Sequence, residues 1–441
     1  MQERLHWLAM HGFFRGAAAI GVRRGDLNSR LVADPQVAAD PVPFYDEVRA
    51  QGALVKSRVS YLTVDHALAA ELLRSDDFRV LMMGSNLPKP LAWLERQTRD
   101  DLLHPLRPPS LLAVEPPDHT RYRKSVSAVF TPRAVAGLRD RVEQTAVGLL
   151  DQLAAESGGV VDVVARYCSQ LPVSIISDIL GVPDQDRRRV LEFGELAAPS
   201  LDIGLPWRQY RSVQRGIAGF NFWLADHLRE LRRSPSDSLM SQLIRTSENG
   251  SAETHLTDTE LLAIAGLVLA AGFETTVNLL SNGIHMLLDH PEHLRTLRER
   301  RELWPNTVEE ILRLDSPVQL TARVALRDVE LAGRQISRGE LVVVYLAAAN
   351  RDPAVFADPH RFDIERPNVG RHLAFSGGRH FCLGAALARA EGEVGLRAFF
   401  EHFPDVRAAG AGSRRDTRVL RGWSTLPVAL GRAHSMAGFD R

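Results

Sequence analysis

The chain has 441 residues, 45% of them apolar, enough to bury a large core and a sizeable ligand. Its 54 basic and 54 acidic side chains cancel, which removes the electrostatic case for nucleic-acid binding. Two cysteines, Cys168 and Cys382, exclude a disulfide framework and a multi-cysteine zinc site, and they suit a reducing cytoplasm. Lys56, Lys89 and Lys124 are the only lysines, so arginine carries almost all the positive charge.

In chain order, Leu5 to Val22 reads as an N-terminal helix interrupted by His6, His11 and Arg15, without the continuous apolar run of a secretory signal. Surface attachment to a membrane and cover for a substrate channel are the alternatives for this segment. Val55 to Val64 has strand character, and the proline-rich stretch Pro88 to Pro117 reads as a long loop. Helical periodicity then dominates, over Arg133 to Ala155, Leu171 to Leu180 (stopped by Gly181 and Pro183) and Trp207 to Arg233. Thr257 followed by Glu260 forms a capping-box signature that opens a helix of about thirty residues, running to about Asp289. Leu261 to Gly272 within it falls short of the ~20 apolar residues of a membrane span.

Glu292 to Arg300 and Thr307 to Arg313 follow as shorter helices, then Thr321 to Leu331 and Leu341 to Leu346 as strands. Loop signals fill Asn350 to Gly378, and Leu383 to His402 is helical. The sum is a mainly α chain with a small β portion. It divides into an N-terminal helical extension (1–33), one domain (34–432) and a short tail (433–441).

Chemistry concentrates in Phe375-Ser376-Gly377-Gly378-Arg379-His380-Phe381-Cys382-Leu383-Gly384. The glycines permit a tight loop, and a helix follows at once. Cys382 therefore meets free backbone N–H groups and a positive helix end, which favour thiolate over thiol. The ordinary alternative is a small buried apolar side chain. Cys168, heading an apolar helix, reads as an inert buried thiol. The spacing Phe-x-x-Gly-x-His-x-Cys-x-Gly resembles the haem-binding loop of the cytochrome P-450 monooxygenases. Chance would place it in a chain of this composition on the order of 10⁻⁵ of the time.

The resemblance implies that haem b lies between the long oxygen-binding helix and the cysteine-loop helix, with Cys382 as axial thiolate ligand. It puts Phe375 beside the thiolate, Gly384 in the same loop, and His380 on a haem propionate. His119 and Arg123, four apart on one helix face, and Arg323 match the other propionate positions. Ala271-Gly272-Phe273-Glu274-Thr275 matches the oxygen-binding segment, where Glu274 and Thr275 would relay protons to bound dioxygen. Read without the resemblance, Gly272 suits either close helix packing or a widened groove, and Glu274 a surface ion pair. Thr276 points about 100° away and reads as packing. Glu310 and Arg313 resemble the family's structural Glu-x-x-Arg pair, with Arg366 as its third member.

The implied function is a soluble, bacterial-type, cytoplasmic monooxygenase that inserts one oxygen atom from O2 into a lipophilic small molecule. Its electrons would come from a separate ferredoxin and an NAD(P)H-dependent ferredoxin reductase, since no flavin or iron–sulfur segment and no transmembrane anchor is expected. The redox partner would dock near Arg121, Lys124 and Arg379. The pocket would be walled by segments 81–112, 191–207, 267–275, 318–322 and 423–425. Lys89, Arg96, Arg99 and Arg107 read as solvated charges or as partners of a substrate carboxylate. The rival readings are a peroxide-driven peroxygenase, against which Glu274 and Thr275 count, a non-catalytic haem-binding protein, and a cysteine hydrolase using Cys382 and His380.

Overall fold

A computed structural model describes residues 1–127, 130–156, 159–249 and 255–433. The proposed tail therefore lies, from residue 434 onward, outside the described residues. The N-terminal segment is helical as expected, as α1 (Gln2–Trp7) and α2 (Phe13–Arg23) joined by a π-helical turn over Leu8–Gly12. The histidines that interrupt its hydropathy are buried and hydrogen-bonded. His6 Nδ1 meets Thr98 Oγ1 at 3.1 Å, Arg107 Nη2 lies 3.1 Å from His6 Nε2, and Leu205 N–H donates to His11 Nδ1 at 3.4 Å.

The largest sheet of the small β portion is five-stranded. Its strands are β1 (Val55–Lys56), β2 (Tyr61–Thr63), β3 (Phe78–Val80), β4 (Thr321–Ala325) and β7 (Leu341–Val344), in the order β1-β2-β7-β4-β3. β5 (Val329–Leu331) and β6 (Arg334–Ile336) pair separately. Two expected strands are thus each split. Val55 to Val64 turns back on itself, because Ser57 N–H bonds Ser60 O while Asp26 accepts from Ser57 Oγ and Arg58 N–H. Thr321 to Leu331 leaves the sheet after Ala325, where Leu326 N–H bonds Asp77 O.

The expected loop 88–117 also contains a helix. Between β2 and β3 runs α3 (His66–Arg74), and after β3 comes α4 (Lys89–Thr98). Pro90 does not prevent α4, because it occupies the first turn, where a missing N–H leaves no bond unmade. Among the helices that follow, those that frame the site and its core are α5 (Asp118–Ser127), α6 (Pro132–Glu156), α7 (Gln170–Leu180), α8 (Trp207–Arg233), α9 (Asp258–Asp289), α10 (Pro291–Glu299), α11 (Trp304–Leu314) and α12 (Ala385–His402). Gly181 ends α7 at φ 69°, the left-handed cap that glycine adopts freely. The capping box at Thr257 is complete, with both reciprocal bonds formed.

α9 crosses the main core against α7 and α12. By length and composition it could cross a membrane, contrary to the expectation that no segment qualifies, and 56% of its most apolar stretch is buried inside the protein. Small residues allow the close approach. A Cβ on Gly392 would sit 2.9 Å from Leu279, and one on Gly395 2.9 Å from Leu280. α11 packs beside α12 and carries Glu310 and Arg313, both fully buried. Arg313 Nε and Nη2 donate to Glu310 at 2.6 and 2.8 Å, and Arg366 Nε donates at 3.1 Å, so Arg366 is the third member. Three backbone carbonyls, of Asn350, Pro359 and Arg361, take the other Arg313 donors. This triad ties α11 to the long loop that leads into the cysteine segment.

Candidate functional site

The cysteine loop owes its shape to two left-handed residues, Ser376 at φ 63° and Gly378 at φ 64°. A Cβ on Gly378 would lie 2.2 Å from Leu73 O and 3.0 Å from Arg74 Cα, so the loop presses on the end of α3 at a spot only glycine can occupy. Cys382 N–H donates to Phe375 O at 3.0 Å and closes the loop one turn before α12 begins. Cys382 is solvent-accessible, although protein surrounds it closely. Burial pushes its thiol up, while a hydrogen bond from Gly384 and the charges of Arg123 and Arg389 pull the other way. Cys168 is fully buried, and burial, with the charge of Asp162 adding to it, drives its thiol far above the usual range.

Around the loop the structure gathers the expected cations. His119 and His380 lie ring against ring, with centroids 4.4 Å apart. Burial, with His380 and Arg123 nearby, lowers His119 to about 4, and its Nε2 is buried with no hydrogen-bond partner. Arg323, on β4, is buried, and its Nη1 reaches only Thr321 Oγ1 at 3.2 Å and Ala322 O at 3.1 Å. Burial brings its pKa down to about 10. Burial likewise lowers Arg123, with Cys382 opposing. Among the described residues no carboxylate lies within ion-pair distance of Arg123 or Arg323.

Sequence reasoning missed Glu115. It accepts from Val80 N–H at 2.8 Å, Arg379 Nη1 at 3.1 Å and His380 Nε2 at 3.4 Å. Burial pushes its carboxyl up, but these donors and Arg323 leave it below the usual range. A lone Glu between Val114 and Pro116 carries no signal in sequence, because β3 and the cysteine loop meet it only in space.

On α9, Thr275 Oγ1 donates to Ala271 O at 2.9 Å and stays partly exposed, while Thr276 is buried with its hydroxyl on Gly272 O at 3.2 Å, the packing role expected of it. A Cβ on Gly272 would lie 2.9 Å from Ile176, so close helix packing is reason enough for this glycine. Glu274 corrects the surface-pair alternative, because it is buried. Arg415 Nη1 approaches it at 3.0 Å without hydrogen-bond alignment, and neither carboxyl oxygen has a hydrogen-bond partner. Burial raises its pKa against the pull of Arg415, with Glu195 adding to the rise. Arg415 is the second residue missed, reached only because the C-terminal loops fold back over α9.

Other expectations need correction. Arg121 is engaged by Glu260 at 2.6 Å and by Asp118, and Arg379 by Glu115 and Asp76, so neither presents an uncompensated charge for docking. Arg99 and Arg107 are solvated only in part, for both pair with the buried Glu95. Trp423 packs on His285, centroids 4.4 Å apart, beneath the Arg414 guanidinium, and so belongs to the α9 core, whereas Ser424 and Thr425 of the same expected wall segment are exposed. His380 bonds Glu115 and forms no hydrogen bond to Cys382, which removes the hydrolase pairing.

The donor set is thus one accessible thiol at a helix N-terminus, an unpartnered imidazole nitrogen and two guanidinium groups without carboxylates, Arg323 buried and Arg123 half-buried. A Cytochrome P-450 family model matches residues 200–406. The chain is 77% identical over 436 residues to cytochrome P-450 140 of Mycobacterium tuberculosis, covering 99% of both. It is 42% identical over 322 residues to the 6-deoxyerythronolide B hydroxylase of Saccharopolyspora erythraea, covering 72% of this chain and 76% of that one. The chain belongs to the cytochrome P-450 family.

Among solved structures, P-450 BioI in complex with a hexadec-9Z-enoic acid-ligated acyl carrier protein superposes with a TM-score of 0.81 at 31% identity, covering 90% of this chain and 100% of that one. This P-450 is a monooxygenase and binds haem b, which family members hold through a cysteine thiolate. The residues present fit that group: a soft sulfur ligand for iron, and buried cationic side chains, otherwise costly, for two propionates.

Proposed function

We propose that this P-450 oxygenates a lipophilic small molecule in the cytoplasm, by hydroxylation or epoxidation, with Cys382 as the thiolate ligand and electrons delivered by a separate ferredoxin and its NAD(P)H-dependent reductase. Residues 34–432 form the catalytic domain, and the helices of 1–33 are an extension packed upon it. The carrying observation is Cys382 itself, accessible, bonded from Gly384 and held by a loop only glycine can close. Bound haem supplies dioxygen activation and oxygen transfer.

The chain's residues do the rest. Phe375 and Gly384 shape the thiolate's surroundings. His119, Arg123, Arg323 and His380 hold the propionates, with Glu115 orienting His380. Ala271 and Gly272 border the opposite face. Thr275 spends its proton on Ala271 O, which leaves its oxygen free to accept from a water and orient it. Glu274, biased toward the protonated form by burial, is a proton store one residue away. A relay of this kind supports the O2-driven reading over a peroxide-driven one.

Because Glu95 engages Arg99 and Arg107, these two offer a substrate carboxylate little, and a neutral lipophilic substrate is favoured. Replacing Cys382 by Ser should abolish the thiolate spectrum of the haem-loaded protein, while Cys168→Ser keeps it. A thiolate spectrum surviving Cys382→Ser overturns the reading. Optical titration with neutral polycyclic, macrocyclic and fatty-acid panels then identifies the substrate class from the compounds that drive the low-spin to high-spin change.

A further inference from the structure

On the assumption that Cys382 is the thiolate ligand, we propose that Arg389 and Glu309 act as a positioning charge pair that sets how strongly Cys382 donates electrons, the guanidinium working through the Phe375 ring. Arg389 lies on α12, and its Cζ sits 4.5 Å from the centroid of Phe375. That ring belongs to the residue whose carbonyl accepts the Cys382 N–H at 3.0 Å. A cation over an aromatic face is held by the ring quadrupole and polarises it. The charge is felt at the sulfur as well, where Arg389 and Arg123 both favour the thiolate.

Glu309, from α11, opposes this charge. It accepts from Arg389 Nε at 2.5 Å and Nη2 at 3.0 Å, a bidentate contact that fixes the guanidinium plane. A third donor locks Glu309. His372 Nδ1 accepts from Ala374 N–H at 3.2 Å, so Nε2 carries the proton and donates to Glu309 at 2.9 Å. Burial works against the charged carboxylate, yet His372 and Arg389 hold it at about 2. The pair is electrically neutral as a whole, but its positive end stacks on Phe375 and its negative end is bound by His372 on α11's side. Neither residue touches the propionate set, and the neighbouring Glu310 is already engaged by Arg313 and Arg366.

Each member therefore has its own sign of effect. Positive charge near the sulfur withdraws electron density and favours the reduced metal, and negative charge does the reverse. Potentiometric titration of the haem-loaded protein should give a more negative ferric/ferrous potential for Arg389→Gln and a more positive one for Glu309→Gln. The double variant should return toward wild type. Resonance Raman should show the iron–sulfur stretch rising in Arg389→Gln and falling in Glu309→Gln. Arg389→Lys keeps the charge without the planar stack and should fall between wild type and Arg389→Gln.

Mere structural damage would move both single variants the same way. Shifts of one sign in both, or none beyond that of the exposed control Arg188→Gln, overturn the proposal. If Arg389→Gln fails to assemble, a Glu309→Gln potential that does not rise overturns it alone. Loss of the thiolate reading is recognised separately, by a thiolate spectrum that persists in Cys382→Ser.

Discussion

Glu310→Gln is the sharpest test of how the core supports the site. Glu310 is fully buried and accepts from Arg313 Nε and Nη2, from Arg366 Nε and from Asp363 N–H, so one carboxylate balances two buried guanidinium groups. Glutamine keeps the shape but removes the charge, and its amide N–H₂ must face a guanidinium donor. Removing one partner of a buried ion pair costs about 3–5 kcal/mol, because the remaining charge is left uncompensated in low dielectric. Arg313 keeps three carbonyl acceptors and Arg366 keeps those of Ala357, Asp358 and Arg361, which argues for the lower end of that range. An exposed helix pair such as Arg188–Glu192 is the control, worth about 0.3–0.5 kcal/mol. Guanidinium unfolding followed by far-ultraviolet circular dichroism, with haem release followed in parallel, measures both. A loss in Glu310→Gln below about 1 kcal/mol, no larger than that of an ordinary surface pair, would refute the view that this triad is a buried structural unit.

Three further outcomes are expected. Thr275→Ala should cost about 10²- to 10⁴-fold in product formed, with substrate-induced spectral change retained; unchanged turnover removes Thr275 from proton delivery. Burial holds His11 at about 4 and His104 at about 3, below the ordinary histidine value of 6.5, so the unfolded chain binds protons first as pH falls. Stability should be complete above pH 6.5 and decline toward pH 4, by up to about 1.4 kcal/mol per pH unit for each histidine, and His11→Gln should flatten the slope in a pH series of unfolding curves. Glu391 runs the opposite way. Burial raises its carboxyl from 4.5 to about 8, so its proton is retained on folding and its cost grows as pH rises between those values. Glu391→Gln should therefore raise stability at pH 7 by up to about 3 kcal/mol and leave pH 4.5 stability nearly unchanged.

Much of this molecule is legible from sequence because its determinants are local. The Thr257–Glu260 cap, the left-handed Gly181 and the apolar period of residues 207–233 depend on neighbours within a few positions, so these helix limits emerge without a fold. The cysteine loop is local as well, ten consecutive residues whose glycines and helix start are readable in order. Glu310 and Arg313, three apart on one helix, belong to the same class.

Tertiary structure decided what depends on segments far apart. The Asp26 contact to Ser57 folds the expected strand at 55–64 into a hairpin, and Asp77 ends the strand at Ala325. Glu115 reaches His380 across 265 positions and Arg415 reaches Glu274 across the C-terminal loops, pairings that no periodicity encodes. Arg121 and Arg379 look free in sequence and are neutralised by Glu260 and by Glu115 and Asp76, carboxylates that only folding brings to them, whereas Glu95 and Arg99 already lie four apart on one helix. A side chain's chemistry is written in its residue type, whereas its charge state, partners and exposure belong to the surroundings that the fold assembles.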